Sequence, residues 1–127
     1  MSTPTTQIGR AGPASFAAGL VAGLIVMAVD LSAAPWHVPP VAIVALQIVA
    51  SVLLGALWGW KAWPGALAAA LPMPLLHAAR FSLGLPDTIS PNTVDAIGMM
   101  ALFALAVAGA GFAAGAVLRA AVAADPR

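Results

Sequence analysis

The sequence lacks cysteine and carries little charge: five Lys and Arg and four Asp and Glu among 127 residues. Without cysteine the chain forms no disulfide, no thiolate metal site and no thiol nucleophile. Its net charge of +1 is too small for nucleic-acid binding, which needs many basic side chains to neutralise phosphates. Composition therefore excludes these classes of site and function.

The scarcity of charge also indicates the solvent of the chain. Charged residues make up 7% of the sequence and hydrophobic residues 62%, with a mean hydropathy of +1.02. A soluble domain needs about a quarter of its residues charged to cover its surface. The composition predicts an all-α integral membrane protein.

Four apolar stretches are long enough to cross a hydrocarbon layer about 30 Å thick as helices. They cover about 15–34, 41–60, 63–79 and 94–118. Pro72 and Pro74 lie inside the third stretch, where each removes a backbone donor, so we expect a kinked or broken helix there. The predicted fold is a compact bundle of four transmembrane helices over 15–118, between a flexible cytoplasmic tail at 1–14 and a cytoplasmic tail at 119–127.

The first apolar stretch has a second interpretation. Arg10 followed by the apolar residues 16–29 also fits a secretory signal peptide cleaved after Ala33 or Ala34. Pro35 directly after that position, and Asp30 close before it, disfavour cleavage. We expect the stretch to remain as the first span.

Basic residues near the ends of the spans predict the orientation. With the N-terminus inside, the cytoplasmic basic residues are Arg10, Lys61, Arg119 and Arg127, and Arg80 alone lies outside. This predicts a multi-pass protein of a bacterial inner membrane with both termini in the cytoplasm. The indoles of Trp36, Trp58, Trp60 and Trp63, with Lys61, are typical of anchors at the membrane interface.

Glycines spaced four apart recur in three of the four spans. The pairs are Gly19 with Gly23, Gly55 with Gly59, and Gly111 with Gly115. Helices in a bilayer associate through such small-residue rows. The rows serve either packing within the bundle or contact with another subunit, and the sequence leaves both open.

Polar residues inside the spans form one candidate site. Asp30 lies on the same helix face as Gly19 and Gly23, so it points into protein. With the predicted topology the candidate cluster in the outer half contains Asp30, Gln47, His77, Arg80 and Asp95. In one interpretation Asp30 pairs with Arg80, helped by Gln47, and fixes the outer end of the bundle. In the other, Asp30 binds protons or ions, with Arg80 tuning its charge and His77 as a proton partner.

Other chemistry has weaker support. Haem or chlorophyll ligation by His77, and a metal site from His37, His77 and the outer aspartates, are alternatives on ligand type alone. The sequence contains no phosphate-binding glycine loop, no HExxH and no GxSxG motif. We therefore assign no catalytic residues and no metal site, and the sequence favours a chain that is not an enzyme and holds no cofactor, without deciding either point.

Three functions fit these features. The small-residue rows favour an assembly or accessory subunit of a membrane complex, whose partners are other membrane subunits or further copies of the chain. The alternative is a homo-oligomeric transporter or channel with an outer-leaflet polar site around Asp30. A cofactor-binding membrane protein that uses His77 is the third possibility.

Overall fold

The computed structural model describes residues 11–32 and 40–125, and every regular element in these ranges is helical. Helix α1 spans Ala11–Ser32, α2 spans Pro40–Trp58, and a 3₁₀ turn covers Gly59–Ala62. Helix α3 spans Trp63–Ala70, α4 spans Pro72–Ser82, and α5 spans Val94–Ala124. The all-α prediction is confirmed.

Three helical segments are long and apolar enough to cross a membrane: Gly12–Ser32, Pro40–Ser82 and Val94–Ala124. The middle segment of 43 residues contains α2, the 3₁₀ turn, α3 and α4. Helix α1 begins four residues before the predicted start of the first span, and α5 continues to Ala124, into the predicted C-terminal tail. The prediction of four spans stays a prediction at this point.

The middle segment bends sharply at Gly59, which has a φ of +67°. L-residues with a side chain rarely adopt this left-handed conformation. Phe112 packs with Ala66 after the bend, and its carbonyl lies against Gly55 before it. A continuous helix would separate Gly55 and Ala66, which are eleven residues apart, by roughly 16 Å. Because both contact Phe112, the chain folds back between them.

A second interruption separates α3 from α4. Helix α3 ends at Ala70 and α4 begins at Pro72, with Leu71 between them. The Leu71 N–H still donates to the Leu67 carbonyl, and the Leu75 N–H donates to the Leu71 carbonyl, each at 3.1 Å. Pro72 has no N–H to donate, which explains why a new helix starts there and the series of backbone hydrogen bonds is interrupted.

Helices pack in two parallel pairs. Along α1, Gly19 meets Gly65, Gly23 meets Ala69, and Asp30 meets His77. Along α5, Gly111 meets Ile48, Gly115 meets Val52, and Arg119 meets Ala56. Helix α1 therefore runs in the same direction as α3 and α4, and α2 runs in the same direction as α5.

Small residues fill the interior and large residues cover the outside. The buried alanines are Ala62, Ala66, Ala68, Ala69, Ala70, Ala108 and Ala116. Many large hydrophobic side chains are exposed, including Val21, Leu53, Leu75 and Leu102. This distribution suits lipid on the outside, since bilayer helices associate through close packing at small residues.

The contact between α2 and α5 gives a prediction. A Cβ at position 115 would collide with the Val52 carbonyl, whereas a Cβ at position 109 of the same helix meets nothing within 4 Å. We expect Gly115→Ala to lower the free energy of unfolding by about 1–3 kcal/mol through overpacking, and Gly109→Ala to leave it unchanged or raise it. Thermal unfolding in mild detergent measures both, and equal melting temperatures would contradict the packing described here.

Candidate functional site

A cavity of about 600 Å³ lies between α1, α2, the end of α3, α4, α5 and the loop that follows α4. Most of its wall is apolar, and its polar side chains come from Asp30, Gln47, His77, Asp87 and Thr88. The apolar wall is formed by Val26, Pro40, Ile43, Val44, Ala70, Met73, Ile89, Met100, Phe103, Ala104 and Val107. A volume of this size is typical of sites for small organic molecules.

His77 is the centre of the polar group. It lies in the second half of α4, and none of its side chain is exposed. Its Nδ1 is 2.6 Å from Oδ1 of Asp87, and its Nε2 is 3.4 Å from Oδ2 of Asp30. One imidazole ring thus bridges two carboxylates from different parts of the chain.

Asp87 is brought to His77 by the loop after α4. Helix α4 ends at Ser82, and Gly84 follows with a φ of +64°, a conformation that favours glycine. The Leu85 N–H then donates to the Arg80 carbonyl at 2.9 Å, which turns the chain back over the helix end. The Asp87 carboxylate also accepts from the Thr88 N–H at 2.7 Å, so its position is fixed from two sides.

Asp30 is reached from the same loop. The Thr88 hydroxyl donates to Oδ2 of Asp30 at 3.3 Å, and the Asp30 side chain is 9% exposed. The predicted pairing of Asp30 with Arg80 is wrong, because Arg80 instead lies 3.7 Å from Oδ1 of Asp87. The loop places the Asp87 carboxylate beside Arg80, so the partners of Asp30 are His77 and Thr88.

The pKa of the Asp87 carboxyl is lowered from its ordinary value of 3.8. Burial raises this pKa, but the hydrogen bonds from His77 and the Thr88 N–H, together with the charges of His77 and Arg80, lower it by more. A depressed pKa means that the folded state favours the ionised form. Asp87 is therefore a fixed negative charge at the polar end of the cavity.

This shift predicts a pH dependence of stability. A carboxyl whose pKa is lower in the folded state than in the unfolded state stabilises the fold at pH values above its unfolded pKa. This stabilisation is lost as the pH falls through its folded pKa. We expect Asp87→Asn to lower the melting temperature at pH 7, and the difference from the wild type to shrink below pH 3.8. The exposed Asp95 is the control, and Asp95→Asn should lower the melting temperature at pH 7 by less than Asp87→Asn does. A gap of constant size down to acid pH would contradict the prediction.

The remaining predicted polar residues have different positions. Gln47 is 6% exposed, lines the cavity, and its Nε2 atom is buried without a hydrogen-bond partner. Ser51 donates to the Gln47 backbone carbonyl at 2.8 Å, and so does not pair with that amide. Asp95 lies on the exposed first turn of α5, away from the cavity wall. Thr93 caps that helix, since its hydroxyl accepts from the Ala96 N–H at 3.2 Å.

The predicted packing residues lie at helix contacts within the chain. A Cβ at Gly19, Gly23, Gly55, Gly111 or Gly115 would meet backbone of a neighbouring helix, and one at Gly59 would meet the Arg119 side chain. Arg119 itself donates to the Ala56 carbonyl at 3.3 Å and to the Leu57 carbonyl. A guanidinium there complements the negative end of α2.

The predicted interface anchors form one group around the 3₁₀ turn. Trp60, Lys61 and Trp63 are exposed, and Trp58 packs against the cluster of Ala62, Ala66 and Phe112. The Trp60 ring also meets the Phe112 ring edge-on, with centroids 5.8 Å apart. Trp36 lies outside the described residues, as do Arg10, His37 and Arg127.

The described ranges show no metal-binding geometry. No group of three or more His, Cys, Asp or Glu side chains within 11–32 and 40–125 is arranged to hold a metal ion. The alternative site that combined His37 with His77 cannot be placed, because His37 is not among the described residues.

Sequence reasoning missed Asp87 and Thr88. Both lie in the connection between the third and fourth predicted spans, in the sequence Leu-Pro-Asp-Thr. The signal that was available is the Pro-Asp-Thr triplet, because an aspartate after proline often accepts from the backbone N–H groups that follow. The triplet predicts the local turn, but it does not predict the contact of Asp87 with His77.

Comparisons of the chain with protein-family models, with curated proteins and with solved structures find no match.

Proposed function

We propose that this chain is a multi-pass membrane protein that binds a small, mostly apolar molecule in the cavity between its helices. The observation that carries the proposal is the combination of an apolar cavity of about 600 Å³ with a buried group of Asp30, His77 and Asp87 at its wall. Ionisable groups inside membrane helices are expensive, and they most often mark a functional site.

Four membrane crossings are part of this proposal. The 43-residue middle segment is about 65 Å long as a helix, roughly twice the hydrocarbon thickness. Its bend at Gly59 and the parallel directions of α1 with α3 and α4 support two crossings within it, the second broken between Ala70 and Pro72. Helices α1 and α5 supply the other two.

The orientation follows from the same arrangement. Lys61 and Arg119 lie at one end of the bundle, where the exposed indoles of Trp60 and Trp63 suit a membrane interface. Arg80 and the polar group lie at the other end. By the positive-inside rule we place the first end, and both chain termini, on the cytoplasmic side of a bacterial inner membrane, with the cavity in the outer half.

Transport is the activity that we propose for this site. In α1, α2, α3 and α5, the half nearest Trp60 contains no ionisable residue before Arg119. Within the described residues, one chain therefore offers no polar path to the inside. A transporter or channel built from this chain therefore needs a path between protomers, with the cavity as its outer vestibule.

An accessory or assembly role is the second candidate, and one observation favours it. Gly98 and Gly109 of α5 are exposed and meet nothing within 4 Å. Eleven residues apart, they lie within about 20° of each other around the helix. A lipid-facing line with two glycines suits close approach by a helix of another subunit.

Native mass spectrometry of the protein purified in mild detergent tests the ligand binding that a transporter requires, and it also tests the accessory role. A bound organic molecule, or uptake of one when the protein is titrated with small lipophilic compounds, supports the binding role. A stable complex with another membrane protein, without any small molecule, supports the accessory role. A monomer that takes up nothing contradicts the binding proposal.

A further inference from the structure

We propose that the ligand of the cavity is a lipophilic monocation, and that it competes with a proton held between Asp30 and His77. This inference rests on the proposed binding function and names the chemical class of its ligand. It starts from the charges that surround the cavity.

Asp30 has no fixed positive partner among the described residues. The basic side chain nearest the polar group, Arg80, is paired with Asp87. Helices α2 and α3 contain no ionisable residue, α1 contains only Asp30, and α5 contains only Asp95 and Arg119, neither of which lines the cavity. The groups that face Asp30 are therefore His77, Thr88 and, behind His77, Asp87 with Arg80.

The hydrogen bonds around His77 require one more proton than its neutral ring supplies. The ionised Asp87 carboxylate only accepts, so the hydrogen of the ring lies on Nδ1. Nε2 of a neutral ring is then an acceptor 3.4 Å from Oδ2 of Asp30, which is also an acceptor when ionised. Nε2 is buried without a hydrogen-bond partner. One proton, on either Nε2 or Asp30, removes this conflict.

A monovalent cation at Asp30 removes the need for that proton. With His77 neutral, the charges of Asp30, Asp87 and Arg80 sum to −1, so one positive charge neutralises the group. When a cation enters from the cavity, the proton leaves, and the charge of the site is unchanged. The apolar wall selects a cation with a lipophilic body, and the unpartnered Nε2 of Gln47 offers a donor to an acceptor on that body.

The experiment uses two aromatic probes that differ in charge, the cation tetraphenylphosphonium and the neutral triphenylphosphine oxide, and only binding of the cation should depend on pH. Binding of each to the full chain in detergent is measured by equilibrium dialysis between pH 6 and pH 8, with empty micelles as the blank. Proton release is measured in weakly buffered solution. We expect about one proton released per phosphonium bound, and an affinity that falls by up to about tenfold per unit decrease in pH.

Two variants complete the design. Asp30→Asn should lower phosphonium affinity at least tenfold and leave phosphine oxide binding in place, which shows that the cavity is intact. Asp95→Asn, which removes an acid outside the cavity, should change neither. If Asp30→Asn does not fold, proton release by the wild-type protein decides the question alone.

The outcomes test the cation proposal separately from the proposed binding function on which it rests. Phosphonium binding without proton release, or unchanged in a folded Asp30→Asn variant, overturns the cation proposal. Binding of the neutral probe alone also overturns it, but leaves the proposed binding function standing. If neither probe binds, both proposals fail.

Discussion

Replacing His77 with phenylalanine is expected to lower the free energy of unfolding by about 3–5 kcal/mol, the range found when one partner of a buried ionic group is removed. The ring is fully buried and lies between the carboxylates of Asp30 and Asp87. Phenylalanine keeps an aromatic ring at this position but removes both nitrogens. Two acids then face each other with Thr88 as the remaining donor from the loop to Asp30.

Arg80→Gln is the matched control on the same helix. Arg80 is 28% exposed and 3.7 Å from Asp87, a geometry that contributes about 1 kcal/mol or less to stability. Thermal or denaturant unfolding in mild detergent compares the two variants. If His77→Phe were as stable as Arg80→Gln, His77 would not be the centre of the polar group.

Filling the cavity is expected to weaken ligand binding without loss of stability. Ala104 lies on the cavity wall, in the first half of α5. Ala104→Phe adds a ring to a space of about 600 Å³, so it should lower the affinity for triphenylphosphine oxide at least tenfold. The melting temperature should stay level or rise, because added apolar contacts replace empty volume.

Ala110→Phe is the control for that prediction. Ala110 is on the same helix and exposed, where a phenyl ring meets lipid or detergent. It should leave affinity and melting temperature unchanged. Equal loss of binding in both variants would indicate a general disturbance of α5, and no loss in either would place the ligand outside the cavity.

The extent to which sequence predicts this molecule depends on how local each feature is. Scarce charge and long apolar stretches identify membrane helices without any tertiary information, because each stretch must satisfy its own backbone. The inward direction of Asp30 also follows from one helix, through its phase with Gly19 and Gly23. These two inferences agree with the buried position of Asp30 and with the contact of both glycines on α3 and α4.

The partners of Asp30 could not be predicted from the sequence, for a physical reason. Arg80 and His77 both end the same predicted span, and opposite charge favours arginine when only sequence is considered. The outcome depends on the loop, which folds back and places Asp87 within reach of Arg80 and His77. Such a contact depends on the conformation of about ten irregular residues, and no periodicity in the sequence predicts that conformation.

The glycine rows show a similar limit. Their spacing predicts close helix contacts, but it does not say whether the other helix belongs to the same chain. Here the contacts of Gly19, Gly55 and Gly115 lie within the chain. The rows therefore no longer support a partner subunit, and that role now depends on Gly98 and Gly109.

The most direct test of the central claim, a ligand-accessible cavity between these helices, uses the natural absence of cysteine. Met73 lines the cavity, and Leu75, two residues further along α4, is 62% exposed on the outer surface. In proteoliposomes, we predict that Met73→Cys reacts with a small water-soluble thiosulfonate faster than Leu75→Cys, because thiolate forms where water reaches and not in lipid. Triphenylphosphine oxide should slow the reaction at position 73 only. Equal rates at both positions, unaffected by that compound, would contradict the account.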